Sequence, residues 1–409
     1  MRFSHAGRYS RQLWLMFWGN LITAMGQGLV WPFLTINMRR QMDVPLTQIT
    51  VLFTLQSLAT MLATTALGPT MDRFGRKGPM VIGYLISSAS IFSMSRADTL
   101  PAWGVLLALY AIAGASFQMG SNAMIADMIA PDRRVGAYAL LRTASNLGIA
   151  IGPPIGGLLT GVSYELPYYL AAGIQFVMVF FVFTMLRETL DRKNRAEEHT
   201  APSVGYGPLL HDRPFLTFWG AYLLVEIAAA LVFTLLGVYV KEQFSIPESQ
   251  YSLIMMTNAV MVVFLQYSVT RLTRRYAPLP VMALSGLFYA LGLSAFALGR
   301  GFLAFWLGMV IMTTGELMIS PTATAMAANL APPDMRARYM GVYGLSYRVG
   351  SGVGPVIGGF LSDSIAPPAT WFGGAFFALL SGGGFLWLSR LRMFHQAKKK
   401  EEAATFVDA

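Results

Sequence analysis

Three ionisable side chains stand inside apolar stretches of this sequence, where a charge is costly enough to imply a role: Glu226, Glu316 and Arg348. At about 1.5 Å of helical rise per residue, Glu226 lies roughly 16 Å past Phe215, Glu316 roughly 18 Å before Ala328, and Arg348 roughly 13 Å past Tyr339. All three therefore fall near the middle of a hydrocarbon layer about 30 Å thick. Two acids and a guanidinium at that depth can bind and release protons, because burial favours the neutral acid and a neighbouring cation favours the carboxylate. The plainer alternative is a satisfied ion pair between Glu316 and Arg348, which leaves Glu226 as the proton carrier. Other chemistries are missing. The absence of cysteine excludes disulfides, thiolate metal sites and a Cys nucleophile. His5, His199, His211 and His395 lie outside the apolar stretches, so no histidine-built metal site is expected there, and no enzymatic cluster accompanies the acid pair.

The elements that must position these groups are membrane-spanning helices. Of 409 residues, 55% are hydrophobic and only 12% charged, with a mean hydropathy of +0.53, whereas a soluble domain carries about a quarter charged residues. Twelve apolar runs can each span a bilayer: Leu13 to Asn37, Thr47 to Met71, Pro79 to Ser95, Ala102 to Met128, Gly136 to Val162, Tyr168 to Leu186, Phe215 to Val240, Tyr251 to Val269, Pro280 to Leu298, Phe302 to Ala328, Tyr339 to Leu361 and Trp371 to Leu391. They lack the alternation of a membrane β-barrel, so each must satisfy its own backbone as a helix. The fold class expected is an all-α membrane protein with twelve transmembrane helices. The first run is too long for a signal-peptide core and no small-residue cleavage site follows it, so it is expected to stay in the protein.

The net charge of +10 is distributed by side of the membrane rather than as a nucleic-acid patch, and no nucleic-acid partner is expected. With a cytoplasmic N-terminus, only Arg39, Arg40, Arg96, Lys241 and Arg300 fall outside, and the remaining basic residues of the loops and ends fall inside. This positive-inside pattern places both termini in the cytoplasm of a cell whose cytoplasmic membrane holds the protein. The polar stretch Arg187 to Pro214 reads as a linker. The expected organisation is a six-helix bundle over 1–186, a cytoplasmic linker over 187–214, a second six-helix bundle over 215–394 and a cytoplasmic tail over 395–409.

An offset of 202 positions aligns AMIADMIAPDRR from Ala123 with AMAANLAPPDMR from Ala325, and GIAIGPPIGG from Gly148 with GSGVGPVIGG from Gly350. The identities include Pro131 with Pro333, Asp132 with Asp334, Arg134 with Arg336, Gly152 with Gly354, Pro153 with Pro355 and Gly156 with Gly358. Both copies fall on the fourth and fifth runs of their set, which implies two parallel, pseudo-symmetric bundles of the kind that rock about a midplane site.

Between the second and third runs lies Gly68, Pro69, Thr70, Met71, Asp72, Arg73, Phe74, Gly75, Arg76, Lys77, Gly78. This string resembles the loop signature of the major facilitator superfamily. The resemblance implies a conformational latch in which Asp72 faces the start of helix eleven, while Arg73 or Arg76 pairs with Asp127 at the end of helix four. A glycine at position 68 is expected to let the helix end pack closely and Gly75 to permit the turn. The counterpart in the second half, Arg271 to Pro280, lacks the Asp and the Gly, so the latch is one-sided. The string Gly148, Gly152, Pro153, Gly156, Gly157 resembles the helix-five motif of twelve-helix drug:proton antiporters of that superfamily. Ordinary small-residue packing is the alternative, and the copy from Gly350 favours it. The family's helix-four arginine is missing, and helix one offers only Asn20 and Gln27, so proton handling must lie elsewhere. An acid in helix seven with one in helix ten is similar to the coupling arrangement of bacterial multidrug efflux pumps.

Amides are costly against lipid, so Asn20, Gln27, Gln56, Gln118, Asn146 and Gln266 are expected to line the substrate cavity. Apolar cavity wall is expected from residues such as Met25, Trp31, Phe117, Phe233 and Met312, although each also suits plain packing. The function expected is proton-coupled export of amphipathic, lipophilic or cationic small molecules by alternating access. Protons serve as the coupling ion, no other cofactor is needed, and the protein works as a monomer in lipid. Export or flipping of an endogenous metabolite or lipid is the alternative, and a sensor or enzyme a remote one.

Overall fold

A computed structural model describes the protein over residues 10–190, 207–332 and 335–391. Most of the linker, the tail, and Pro333 and Asp334 of the repeat lie outside the described residues. Twelve long helices follow one another among the described residues. They are α1 (Arg11–Gln41), α2 (Leu46–Phe74), α3 (Lys77–Met94), α4 (Leu100–Met128), α5 (Pro131–Thr160), α6 (Leu166–Met185), α7 (Arg213–Phe244), α8 (Glu248–Thr273), α9 (Pro278–Leu298), α10 (Gly301–Leu330), α11 (Arg336–Ser364) and α12 (Ala369–Arg390). Nine are long and apolar enough to cross a membrane; the others are α3, α5 and α11. Each expected run falls within or nearly within one helix, and the helices extend beyond the apolar runs because their terminal turns carry polar residues.

Local chemistry explains the ends. Ser10 caps α1, its Oγ accepting from the backbone N–H of Leu13 at 3.3 Å. Pro32 lacks an N–H and sits in a short 3-10 turn, Trp31–Phe33, inside α1. Proline also opens α5 and stands near the start of α4, α6 and α9, where no N–H partner is lost. The expected linker ends sooner than the sequence implied: Arg213 and Pro214 already belong to α7, and the Asp212 carboxylate accepts from Phe215 N at 3.0 Å.

The chain divides into two compact units, one holding α1 to α6 with Val240–Val263, the other holding the segment up to Tyr239 and the residues from Phe264 onward. In the first, α1 packs on α5, α2 on α4, and α3 on α4 and α6. At one end of this unit Arg39 pairs with Glu242 at 2.9 Å, Lys241 with Glu248 at 3.1 Å, and the Tyr164 hydroxyl donates to Glu248, with Arg40 4.2 Å from the centre of the Tyr164 ring. In the second unit α9 packs on α10 and α12.

Glycine makes the α1–α5 approach possible. A Cβ at Gly152 would stand 2.6 Å from Met25 O and 2.7 Å from Gly28 Cα, so only hydrogen fits. Gly148 and Gly156 press against α1 in the same way, and Gly157 against Ser252 and Glu248. In the second unit a Cβ at Gly354 would stand 2.7 Å from Ile227 O, so α11 approaches α7 through the repeated string. The glycines first read as an antiporter motif thus make a close helix crossing in both units.

Candidate functional site

The second unit brings Glu226 and Glu316 within Coulombic reach of one another, both half-buried. Glu226 sits 13 residues into α7, and Glu316 lies mid-way along α10. Tyr222, one turn before Glu226, is buried and hydrogen-bonds both Glu226 and Tyr343. Its ring stacks on that of Tyr343 at 5.0 Å and 25°. Tyr289 of α9 is buried within Coulombic reach of both acids. Trp219 Nε1 donates to Val342 O at 2.9 Å, tying α7 to α11. Arg348 lies 5.9 Å from the ring centre of its neighbour Tyr347, a further phenol whose hydroxyl is within Coulombic reach of Arg348, Glu226 and Glu316 alike. The site is therefore a pair of carboxylic acids in a setting of phenols, which donate hydrogen bonds to an ionised carboxylate.

The first unit builds the loop cluster. Arg76 is nearly fully buried and pairs with both Asp72 at 2.7 Å and Asp127 at 3.2 Å. Of the two arginines left open by the sequence, Arg76 is thus the partner, while Arg73 lies 5.2 Å from the ring centre of Phe74. A Cβ at Gly68 would meet only Met119 at 3.8 Å, so the close packing expected there is not found within this unit. Gly75 has φ +98° and ψ 171°, a region essentially restricted to glycine.

A further acid, not singled out from the sequence, completes this cluster. Glu188, just past α6, accepts from the backbone N–H groups of Arg76 at 2.9 Å, Lys77 at 3.0 Å, Thr189 at 3.0 Å and Leu190 at 3.1 Å. It thereby caps the start of α3. Burial alone would raise its carboxyl, but the four N–H donors outweigh burial and hold it below the ordinary carboxylate value. Thr189 adds a hydrogen bond to Asp127 at 2.9 Å.

The expected cavity amides divide. Asn20 is buried and donates to Leu141 O at 3.1 Å, and Gln266 donates to Leu317 O at 3.0 Å, so these two join neighbouring helices. Gln118 is exposed and reaches Asn122 on its own helix at 3.5 Å. Gln27 lines a narrow apolar crevice with Trp31, Met94 and Tyr110. Gln56 and Asn146 are half-buried. Met312, expected on the cavity wall, is fully buried where α9 and α10 pack.

The profile described as "Major Facilitator Superfamily" matches residues 16–236 and again 218–408. The chain belongs to the Major Facilitator Superfamily. It is accordingly a multi-pass secondary transporter of the twelve-helix, two-bundle major facilitator fold and not an enzyme. Among curated relatives, the "Na(+), Li(+), K(+)/H(+) antiporter" of Planococcus maritimus is 25% identical over 433 residues, covering 97% of this chain and 98% of that protein. "Multidrug resistance protein 1" of Bacillus subtilis (strain 168) is 24% identical over 343 residues, covering 84% of this chain and 87% of that protein. A crystal structure of a mutant of the nucleoside transporter NupG superposes with a TM-score of 0.81 at 15% identity, covering 92% of this chain and all of that one. At that identity the likeness speaks for the fold.

Proposed function

We propose that this superfamily member is a proton-coupled antiporter that exports amphipathic, lipophilic small molecules, cations among them, across the cytoplasmic membrane. The observation that carries the reading is the Glu226 and Glu316 pair, set mid-helix among phenols in one unit. A carboxylic acid so placed binds a proton when its surroundings are dry and releases it when they are wet, and an ionised pair attracts a cationic cargo. One proton crossing about 150 mV supplies roughly 3.5 kcal/mol, enough for a cargo gradient of a few hundred-fold. Relatives named as a multidrug resistance protein and as a cation/proton antiporter support this class of exchange. Both termini face the cytoplasm, by the distribution of basic residues, and the protein acts as a monomer in lipid without a cofactor other than the proton.

The test is transport by protein reconstituted in vesicles, with an imposed pH gradient, tetraphenylphosphonium as cargo and a pH dye following protons. Glu226→Gln and Glu316→Gln should insert normally and lose gradient-driven accumulation of the cation. Parental accumulation by both variants would overturn the coupling assignment. Proton movement driven by sodium or potassium, with none driven by tetraphenylphosphonium, would overturn the cargo class.

A further inference from the structure

A line of hydroxyl groups leaves Glu226 and reaches the surface of the second unit. Tyr222 hydrogen-bonds the Glu226 carboxylate on one side and the Tyr343 hydroxyl on the other. Tyr343 OH lies 3.2 Å from Thr324 Oγ1. From Tyr222 outward exposure rises, since Tyr222 is 7% exposed, Tyr343 half-buried and Thr324 exposed, while Glu226 itself is half-buried. Depth falls along it as well. Counted from the helix ends that share one side, at about 1.5 Å per residue, Glu226 lies roughly 20 Å in, Tyr222 roughly 14 Å, Tyr343 roughly 10 Å and Thr324 roughly 9 Å. The ends of α7 and α11 do adjoin there, since Tyr339 OH donates to Asp212 at 2.6 Å. The rings of Tyr222 and Tyr343 stack along this line, 5.0 Å between centres.

We infer that Tyr222, Tyr343 and Thr324 form a proton wire linking Glu226 to the face of the membrane at which α7 and α11 begin. This rests on Glu226 being the proton carrier. The transfer is a relay in which no atom is gained or lost. The Glu226 carboxyl gives its proton to the Tyr222 oxygen, Tyr222 passes its own to Tyr343, and Tyr343 passes its own to Thr324, which hands one to water. Each hydroxyl takes one proton and gives one, then rotates back. Thr324 also donates to Ser320 O at 2.9 Å, which leaves its oxygen turned to receive from Tyr343. Tyr222 and Tyr343 relay the proton that Glu226 exchanges.

The experiment compares Tyr222→Phe, Tyr343→Phe and Glu226→Gln in reconstituted vesicles, reading both tetraphenylphosphonium binding and the rate of dye-reported proton movement after a pH jump. Phenylalanine keeps the stacked ring and removes only the hydroxyl. In each tyrosine variant proton movement should slow about a hundredfold, the low side of what a positioned proton-transfer group contributes, and detectable tetraphenylphosphonium binding shows that the variant is folded. Small buffer acids such as imidazole should restore that rate, because a diffusible carrier replaces a missing relay and does not repair a packing defect. Parental proton rates in both tyrosine variants, or slowing that buffer does not relieve, would overturn the wire. If Glu226→Gln alone stops proton movement while both tyrosine variants run at the parental rate, the wire fails and the carrier stands. If Glu226→Gln itself moves protons like the parent, the carrier fails, and with it the wire.

Discussion

Replacing Glu188 by alanine should loosen the loop cluster of the first unit by an amount that can be worked from its hydrogen bonds. The carboxylate accepts four backbone N–H groups between 2.9 and 3.1 Å, and those of Arg76 and Lys77 belong to the start of α3, where no helical carbonyl is available to them. Losing a helix cap costs about 0.5–2 kcal/mol. Removing a negative charge from the positive end of a helix costs about 0.3–1 kcal/mol more. Glu188 is exposed, so water replaces part of what is lost and the lower half of the combined range applies, about 1–2 kcal/mol. In detergent this reads as a fall of a few degrees in the unfolding midpoint. Glu188→Gln keeps an acceptor oxygen and should lose less. The pH dependence has a definite sign. The folded carboxyl is held below its unfolded value, so its stabilisation is complete above the ordinary carboxylate value of about 4.3 and is lost as pH falls through the lower folded value. The gap between parent and Glu188→Ala should therefore be constant from neutral to about pH 5 and close below that. An unchanged midpoint for Glu188→Ala, or a gap that stays open in strong acid, would refute the reasoning.

Two further outcomes follow from packing. Gly152→Leu places a side chain where even a Cβ meets Met25 O at 2.6 Å, and Gly354→Leu does the same against Ile227 O at 2.7 Å; each should cost about 3 kcal/mol or more and sharply lower the monodisperse fraction in size-exclusion chromatography, whereas leucine tolerated at parental yield contradicts the close crossing. Asn20→Leu removes the bond that ties α1 to Leu141 O, which keeps its Ser145 hydroxyl partner, and should cost about 0.5–1.5 kcal/mol in a thermal melt with tetraphenylphosphonium export unchanged, so lost export at parental stability would return Asn20 to the cavity.

The twelve helices were legible because a lipid-spanning element must be apolar for about twenty residues, and that constraint is local in sequence. Their ends were less so. The fifth apolar run starts at Gly136, yet α5 begins at Pro131, because its first turn is polar and Arg134 folds back to Ala126 O at 2.7 Å and Ile129 O at 2.9 Å. The loop string carried the Asp72, Arg76 and Asp127 cluster but not Glu188, whose partners lie 111 and 112 positions away, a distance no local pattern encodes. The amides were expected in a cavity on the argument that they avoid lipid. That argument is sound for Asn20 and Gln266, but a neighbouring helix carbonyl satisfies it as well as a cavity does, and composition does not separate the two.

The offset of 202 positions found in the fourth and fifth helices also holds in the contacts of the first and seventh. A Cβ at Gly148 would stand 2.7 Å from that of Ala24, and one at Gly350 2.8 Å from that of Glu226; Gly152 faces Met25 O, and Gly354 faces Ile227 O. Asn20 bonds to Leu141, and at the same offset Tyr222 stacks on Tyr343. Each unit thus repeats one frame, a glycine-lined crossing with a polar contact one turn before the closest approach. In the first unit that frame holds alanine and an amide bonded to backbone, which is structure alone. In the second the same positions hold a carboxylic acid and a pair of phenols. A crossing this tight fixes the backbone at Glu226, because Gly350 leaves α11 no room to shift toward α7. The acid is therefore held by a frame whose rigidity the first unit needs for packing, and at these three positions of the frame the second unit differs by side chains that can carry a proton.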